Sequence, residues 1–302
     1  DFEFEDFKVD ADEYLRTSVP ITDATWNQLQ AADSILFGAV GDPRVTDPKY
    51  LAGVLLRLRF ELDLYVNLRP FQAMDTRHGD LEFLVVREGT EGSYAGEGGF
   101  LRKGTPLEVA TQGSVNTRAG VERCVRFAYT LAASRPRRHL TLVHKTNVLT
   151  FAGDLWQRTF NEVGAEFTDV ERAYNHVDAA CIYLHDQPGR YDVIVTDNLF
   201  GDILTDLAGA VAGGIGLAAS ANLNPERSGP SLFEPVHGSA HDIAGTGKAN
   251  PLAAIRSAAM MLEFLGDADA AARINKAVSE HLAAPPQDQS TSAIGDRIAE
   301  RV

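Results

Sequence analysis

Cysteine is nearly absent: the 302 residues contain two, Cys124 and Cys181. They lie far apart in apolar sequence, which fits buried thiols in a reducing compartment and offers neither a disulfide framework nor a metal-binding cysteine pair. No apolar run reaches the ~20 residues of a membrane span. No signal-peptide pattern is found at the start, so the expected location is the cytoplasm. Basic residues are outnumbered, 28 Lys and Arg against 42 Asp and Glu, for a net charge of -14. That excludes a general nucleic-acid binder, yet leaves room for a local cationic pocket for an acidic small molecule. Three familiar motifs are missing. No G-x-S-x-G marks a serine hydrolase. "GTGKAN" (245–250) lacks the P-loop spacing and the hydroxyl after Lys248. "GGIGLAA" places Gly214, Gly216 and Ala219 at the spacing of a dinucleotide fingerprint, but a helix pattern precedes it where a strand is required.

What is present is alternation. The apolar fraction of 44% is ordinary for a globular protein, and the length suits one large or two medium domains. Short β-rich apolar runs at 34–37, 81–86, 140–143, 179–184 and 191–195 predict strands. Longer helical patterns at 118–133 and 153–163 lie between them, the second with Asp154 as a candidate cap. This order predicts an α/β architecture with at least partly parallel sheets. "DFEFEDFKVDADEYLRT" opens the chain as a strand and acidic loop already under way. "PLAAIRSAAMMLEFLG" predicts a helix with Pro251 in its first position and Gly266 at its stop. "AAPPQDQSTS" (283–292) reads as a surface loop, and no internal repeat is found.

Polar residues gather where these runs end. "LEFLVVREGTEGSY" ends its strand with Arg87 and reaches Tyr94, "HLTLVHKTNV" ends with Lys145 and Asn147, and "YDVIVTDNLFGD" ends with Asp197 and leads to Asp202. Ligands of open α/β sheets bind beyond the carboxyl ends of strands, so three such ends define a candidate site. Asp202 and Asp206 stand four apart in "VTDNLFGDILTDLAGAVAGG", on one helix face in apolar surroundings, and call for a positive partner. Arg59, Arg69 and Arg87 adjoin apolar sequence with few acidic neighbours, and their guanidinium forks suit a substrate with more than one carboxylate. Arg57 reads as solvated helix charge, and "RPRRH" (135–139) as a solvated turn. "EPVHGSAHDIAGTGKANP" (234–251) is too glycine-rich and polar for a core element. It is either an ordered surface loop or a loop whose glycines let backbone approach a flat or phosphorylated ligand.

The segments "LRFELDLYVNLRP", "VVREGTEGSYAG", "LTLVHKTNVL", "VTDNLFGDILTDLA" and "EPVHGSAHDIAGTGKANP" together resemble the isocitrate/isopropylmalate family of β-decarboxylating dehydrogenases, which also includes homoisocitrate and tartrate enzymes. The resemblance spans nearly the whole chain. It implies a two-domain isopropylmalate/isocitrate dehydrogenase-like α/β fold, not a G-x-G-x-x-G Rossmann fold. The first, cofactor-side domain would be residues 1–65 and 213–302, and the second, with dimerisation and catalytic residues, 66–212. The family's usual opening strand and glycine-rich turn are absent here, "FQAMDTRHGD" is shorter than its usual loop, and His241 stands where it has proline. The resemblance further implies a homodimer with shared active sites, with neither nucleic acid nor membrane as partner. Asp202 and Asp206, with Asp178 from the other subunit, would bind Mg2+ or Mn2+. Arg59, Arg69 and Arg87 would bind substrate carboxylates, with Leu55, Leu56, Asn147 and Val148 beside the substrate. Tyr94 and the partner-supplied lysine equivalent to Lys145 would be the acid–base pair. Glu234, His237, Gly238, Ser239, Ala240, Asp242, Ile243 and Asn250 would line the cofactor.

The implied reaction is NAD-dependent oxidative decarboxylation of 3-isopropylmalate to 2-oxoisocaproate, a step of leucine biosynthesis. Lys145 must be neutral to act as base, an arrangement that burial or nearby cations can provide. Leu55 and Leu56, about one turn before Arg59, offer an apolar patch suited to an isopropyl group and not to a third carboxylate. Leu51 and Ala52 replace an acidic residue usual before this segment, so tartrate, isocitrate, homoisocitrate or another 2-hydroxy acid stays open, as does a catalytically silent regulatory subunit. Asp242 would accept hydrogen bonds from adenosine ribose hydroxyls and repel a 2′-phosphate, which predicts NAD over NADP.

Overall fold

The structure is a computed structural model and describes residues 2–285 and 287–302, apart from the side chains of Met74 and Asp75. Pro286, within the expected 283–292 loop, lies outside them. The chain forms two compact units, one of Asp1–Leu64 with Ile215–Val302 and one of Tyr65–Gly214.

The first unit opens with α1 (Ala11–Thr17), α2 (Asp23–Ala31), β1 (Ser34–Leu36), α3 (Pro48–Leu51), a π-helical turn (Ala52–Leu56) and α4 (Arg57–Glu61). Asp10 and Thr22 cap α1 and α2 by accepting from Glu13 N and Thr25 N, each cap contributing about 1 kcal/mol. The expected opening strand is not formed: residues 2–9 are irregular. Phe2 and Phe4 are exposed, and Phe7 alone of these phenylalanines packs against the core made by Trp26, Tyr50, Val54, Leu58 and Leu232. An isolated acidic stretch with no ladder partner has nothing to pair its backbone with.

The second unit holds β2 (Val66–Thr76), β3 (Gly79–Glu88), β4 (Gly98–Leu101), β5 (Val109–Gln112), α5 (Arg118–Ser134), β6 (His139–His144), α6 (Thr150–Gly164), β7 (Glu171–His176), α7 (Val177–Asp186), β8 (Val193–Thr196) and α8 (Asn198–Val211). Its strands run in the order β2-β3-β8-β6-β7. β2 is antiparallel to β3, and β3, β8, β6 and β7 are mutually parallel. The central strand β8, buried on both faces, reads as an unbroken apolar run, Val193, Ile194 and Val195. Trp156 of α6 is buried, donates to Asn116 Oδ1 at 2.9 Å and stacks near His144. β4 and β5 form a separate hairpin.

The chain then returns to the first unit with β9 (Ala219–Leu223), β10 (Ser231–Pro235), α9 (Leu252–Leu265), α10 (Ala268–Ala283) and α11 (Thr291–Ala299). β10 pairs with β1 in parallel and with β9 antiparallel.

Several expectations need correction. Residues 179–184 are not a strand but part of α7, where Ala180 and Leu184, four apart, are the buried pair. A six-residue apolar run fits either period, and here the alanines and the acidic first turn favour the helix. Helix α6 starts at Thr150, so Asp154 is not a cap but pairs with Arg158 at 2.7 Å. Pro251 occupies the N-cap of α9, one position before the helix, and Gly266 closes it in left-handed geometry. Cys124 is buried, as expected, whereas Cys181 is half-buried; both are free thiols. Burial holds the Cys124 thiol well above its usual pKa. "GGIGLAA" does follow a helix, α8, and precedes a strand, β9.

Candidate active site

The parallel strands of the second unit all finish at one end, where several of the candidate side chains collect. Asn67 on β2 lies directly opposite Arg87 on β3, and Asn67 and Arg69, two apart, share its face. Arg87, 1% exposed, donates from Nε and Nη2 to Asn198 Oδ1 at 3.1 and 2.7 Å. Its Nη1 donates to Asp202 Oδ1. Arg69 donates from Nε to Asn67 Oδ1 at 2.7 Å and from Nη1 to Thr205 Oγ1, and its Nη2 lies 3.6 Å from Asp202. Tyr94 sits in a 3-10 turn (Ser93–Ala95) with its ring 5.2 Å from the Arg87 guanidinium carbon, and its hydroxyl donates to Asp202 Oδ2 at 2.7 Å. Burial, then the bond to Asp202, raise the Tyr94 pKa, which keeps the phenol protonated.

Asp202 thus finds its positive partners in two arginines. Sequence neighbours did not reveal these contacts: Arg69 and Arg87 have an acidic neighbour from α8, more than a hundred residues on. Asp206, one turn further along α8, is exposed. Helix α8 can approach because residue 201 is glycine; a Cβ there would lie 2.5 Å from Arg87 Cγ.

A second group follows β6 and β7. Lys145 Nζ donates to Asp178 Oδ2 at 2.7 Å, and that bond holds the exposed Asp178 carboxyl below its usual pKa. Tyr174 Oη ties the two strand ends together, accepting from Thr146 N at 3.1 Å and lying 2.9 Å from His176 Nδ1. A Cβ on Gly153 would sit 2.6 Å from Thr146 Cα, so this glycine lets α6 press against the turn that carries Lys145. Asn147 and Val148 stand exposed on that turn.

In the first unit, Arg59 is buried and donates to Glu234 Oε1 at 3.2 Å, the same oxygen that accepts from Asn222 Nδ2 at 2.8 Å. Its Nε is buried without a partner. Leu55 and Leu56 lie half-buried in the π-helical turn, a form often found at functional sites. After β10 the chain runs through His237 and Gly238 to Ala240, which is left-handed (φ 45°), and into a 3-10 turn (His241–Ile243). Ser239 Oγ and the Gly41 carbonyl both contact His241 Nε2. Asp242 and Asn250 are exposed, and a Cβ on Gly216 would lie 3.2 Å from Asn250 Cβ.

Asp202 and Asp206 offer hard carboxylate oxygens one helical turn apart, which suits Mg2+ or Mn2+. Among the described residues, no three His, Cys, Asp or Glu side chains of one chain gather tightly enough to hold a metal. Asn67, Asn198 and Thr205 were missed in the sequence. Asn198 lies between flagged residues in "TDNLFGD", and Asn67 is one strand period before Arg69, so position alone marked both.

Arginines, a half-buried phenol and a helix-borne carboxylate pair at the strand ends make a site suited to an acidic small molecule. Residues 1–298 match the family model described as isocitrate/isopropylmalate dehydrogenase, and the chain belongs to this family. The chain is 57% identical to the 3-isopropylmalate dehydrogenase of Thermobifida fusca, over 98% of this chain and 87% of that one. It is 56% identical to the 3-isopropylmalate dehydrogenase of Nocardia farcinica, over 98% and 90%. Among solved structures, isocitrate dehydrogenase from Methylococcus capsulatus matches with a TM-score of 0.89 at 38% identity, over 97% of this chain and 88% of that one.

Proposed function

We propose that this chain oxidises and decarboxylates 3-isopropylmalate to 2-oxoisocaproate, with NAD as acceptor and a divalent cation as cofactor. The observation that carries the reading is the Arg69–Arg87–Tyr94–Asp202 cluster at the strand ends, in a chain whose relatives are named for this activity. Asp202 and Asp206, with Asp178 of a second copy, would hold Mg2+ or Mn2+, which supplies Lewis-acid polarisation of the substrate's hydroxyl and adjacent carboxylate. Arg69 and Arg87 bind and orient carboxylates through their forks. Lys145 takes the proton from the hydroxyl oxygen as a hydride leaves the carbon that bears it for NAD. Carbon dioxide then departs, and the Tyr94 phenol donates the proton that the carbon takes up. Leu55 and Leu56 receive the isopropyl group, and Asp242 selects NAD through the ribose hydroxyls. The segment 234–250 would be the dinucleotide loop.

Two copies would complete the site, Lys145 and Asp178 serving the neighbour. Supporting this, the second unit leaves Phe100, Leu101 and Leu107 exposed around its hairpin, and Ile182, Leu199 and Ile203 exposed on the neighbouring helices α7 and α8. The test is NADH formation with a panel of 3-isopropylmalate, isocitrate, homoisocitrate and tartrate in Mg2+ or Mn2+. The highest kcat/KM on 3-isopropylmalate is expected. Preference for isocitrate would overturn the assignment of Leu55 and Leu56, and undiminished activity after exhaustive chelation would overturn the metal.

A further inference from the structure

Glu88 ends β3 one residue after Arg87, so the two side chains leave opposite faces of the strand. It is 1% exposed. Its Oε1 accepts from Thr90 N and Thr90 Oγ1, both at 2.7 Å, and its Oε2 accepts from Glu91 N at 2.7 Å. Burial, which outweighs these bonds, pushes the Glu88 carboxyl above its usual pKa, and Glu91 adds to the rise. Arg123 of α5 donates to the Thr90 hydroxyl at 3.2 Å, one bond removed from the carboxylate. The folded chain therefore holds the Glu88 proton more tightly than the unfolded chain does. Stability present below the ordinary glutamate pKa is lost as pH rises through the folded value. A carboxylate kept here at a cost to the fold must supply something else. It supplies oxygens that only accept, facing a hydroxyl and two successive backbone N–H groups. An amide cannot replace it, because its NH2 would meet one of those N–H groups.

The turn so organised leads directly to Tyr94. Gly89 N donates to the Tyr65 carbonyl at 3.0 Å, and the Glu91 carbonyl accepts from Asn198 Nδ2 at 3.1 Å. Gly92 is left-handed (φ 75°) and its N–H donates to the Val115 carbonyl at 2.7 Å. Two residues later the Tyr94 hydroxyl reaches Asp202. We propose that Glu88 is a positioning residue for Tyr94: its carboxylate fixes the path of residues 89–91, and that path delivers the phenol to Asp202. This rests on the reading of Tyr94 as the proton donor. Glu88 itself faces away from the substrate side and touches neither substrate nor metal ligands.

The experiment compares wild type, Glu88→Gln, Tyr94→Phe and the double variant as full chains, with two readouts. The first is kcat and KM for 3-isopropylmalate at saturating NAD and Mg2+. Glu88→Gln is expected to lower kcat by ~10-fold and to leave KM within about 2-fold. In the Tyr94→Phe background the same change should lower kcat by less than about 2-fold, because the group it positions is gone. A support that serves folding alone gives equal losses in both backgrounds, or a lower Tm with kcat unchanged, and either result overturns the proposal. Should Glu88→Gln fail to fold, Thr90→Val removes one of the three bonds at a half-buried position. It is expected to lower kcat by about 3-fold, again only when Tyr94 is present. The second readout is backbone hydrogen exchange over residues 89–96, without substrate, NAD or metal. Exchange there should be at least ~5-fold faster in Glu88→Gln than in wild type, with α5 and α8 unchanged. If wild type oxidises none of the 2-hydroxy acids, or Tyr94→Phe retains wild-type kcat, the reading of Tyr94 fails. Exchange then still decides whether Glu88 sets the path to Tyr94: no change over 89–96 overturns the proposal, and faster exchange confined to that segment supports it.

Discussion

The two ends of the parallel strands in the second unit treat arginine in opposite ways. At the starting end, Arg135 is matched by Asp192 and Glu82, Arg138 by Asp169, and Arg137 by the carbonyls of Arg190 and Tyr191. "RPRRH" is the turn its composition predicts, exposed at Pro136, Arg137 and Arg138, except that Arg135 is largely buried and its pair with the buried Asp192 fastens the strand starts. At the finishing end, Arg69 and Arg87 rest on amides and a hydroxyl and share the carboxylate of Asp202, whose side chain is 41% exposed. Charge satisfied inside the chain stabilises. Charge held by neutral oxygens beside a carboxylate within reach of solvent can answer to a ligand.

The sharpest way to break this contrast is to truncate one arginine at each end. Arg87→Ala is expected to lower kcat/KM by at least ~100-fold. Arg135→Ala should leave kcat/KM within about 2-fold and instead lower stability by ~3 kcal/mol, because it strands the buried Asp192. Steady-state kinetics and urea melts separate the two, and comparable activity losses at both ends would erase the distinction. Next in size, Arg87→Ala mixed with Lys145→Ala should recover up to about a quarter of wild-type activity once heterodimers form, since one site in such a dimer would be intact. Heterodimers that stay inactive would confine each site to one chain.

Tyr94→Phe should reduce kcat by roughly 10- to 100-fold with little change in KM. Its pKa is raised by burial and by Asp202, so the folded state holds the phenolic proton more tightly than the unfolded chain does. The stability this gives is complete below the ordinary tyrosine pKa and is lost as pH rises through the folded value. No Tyr94 limb should therefore appear in the pH–rate profile below about pH 10, and a falling limb nearer neutrality that vanishes in Tyr94→Phe would contradict this. The smallest expected change is in cofactor choice. Replacing Asp242 with Lys and Ile243 with Tyr should shift the NADP/NAD ratio of kcat/KM by about 10-fold toward NADP, softened by the contact of His241 with Gly41. Equal use of both cofactors by the unmodified enzyme would remove the basis for that change.

Much of the framework was legible in advance because it depends on local periodicity. The runs at 81–86 and 140–143 lie within β3 and β6, and the helical pattern at 118–133 within α5. The run at 179–184 was misread because six apolar residues fit either a strand or a helix, and only packing decides. Residues bearing charge at strand ends were visible as candidates; their partners were not. Asn198 and Arg87 are 111 residues apart, and Arg69 and Thr205 are 136 apart. No local pattern links positions that meet only when α8 lies along the ends of β2 and β3.

The chain's two tryptophans fall one to each unit. Trp26 packs beneath the Arg57 guanidinium, 4.4 Å from its ring, and Trp156 is enclosed by Asn116 and His144. Intrinsic fluorescence therefore carries a separate signal for each half of the molecule. Trp26→Phe leaves emission from the second unit alone, and Trp156→Phe leaves the first. Denaturant titrations of the two single-tryptophan proteins would report whether the units melt together or in turn, without labels and without a substrate.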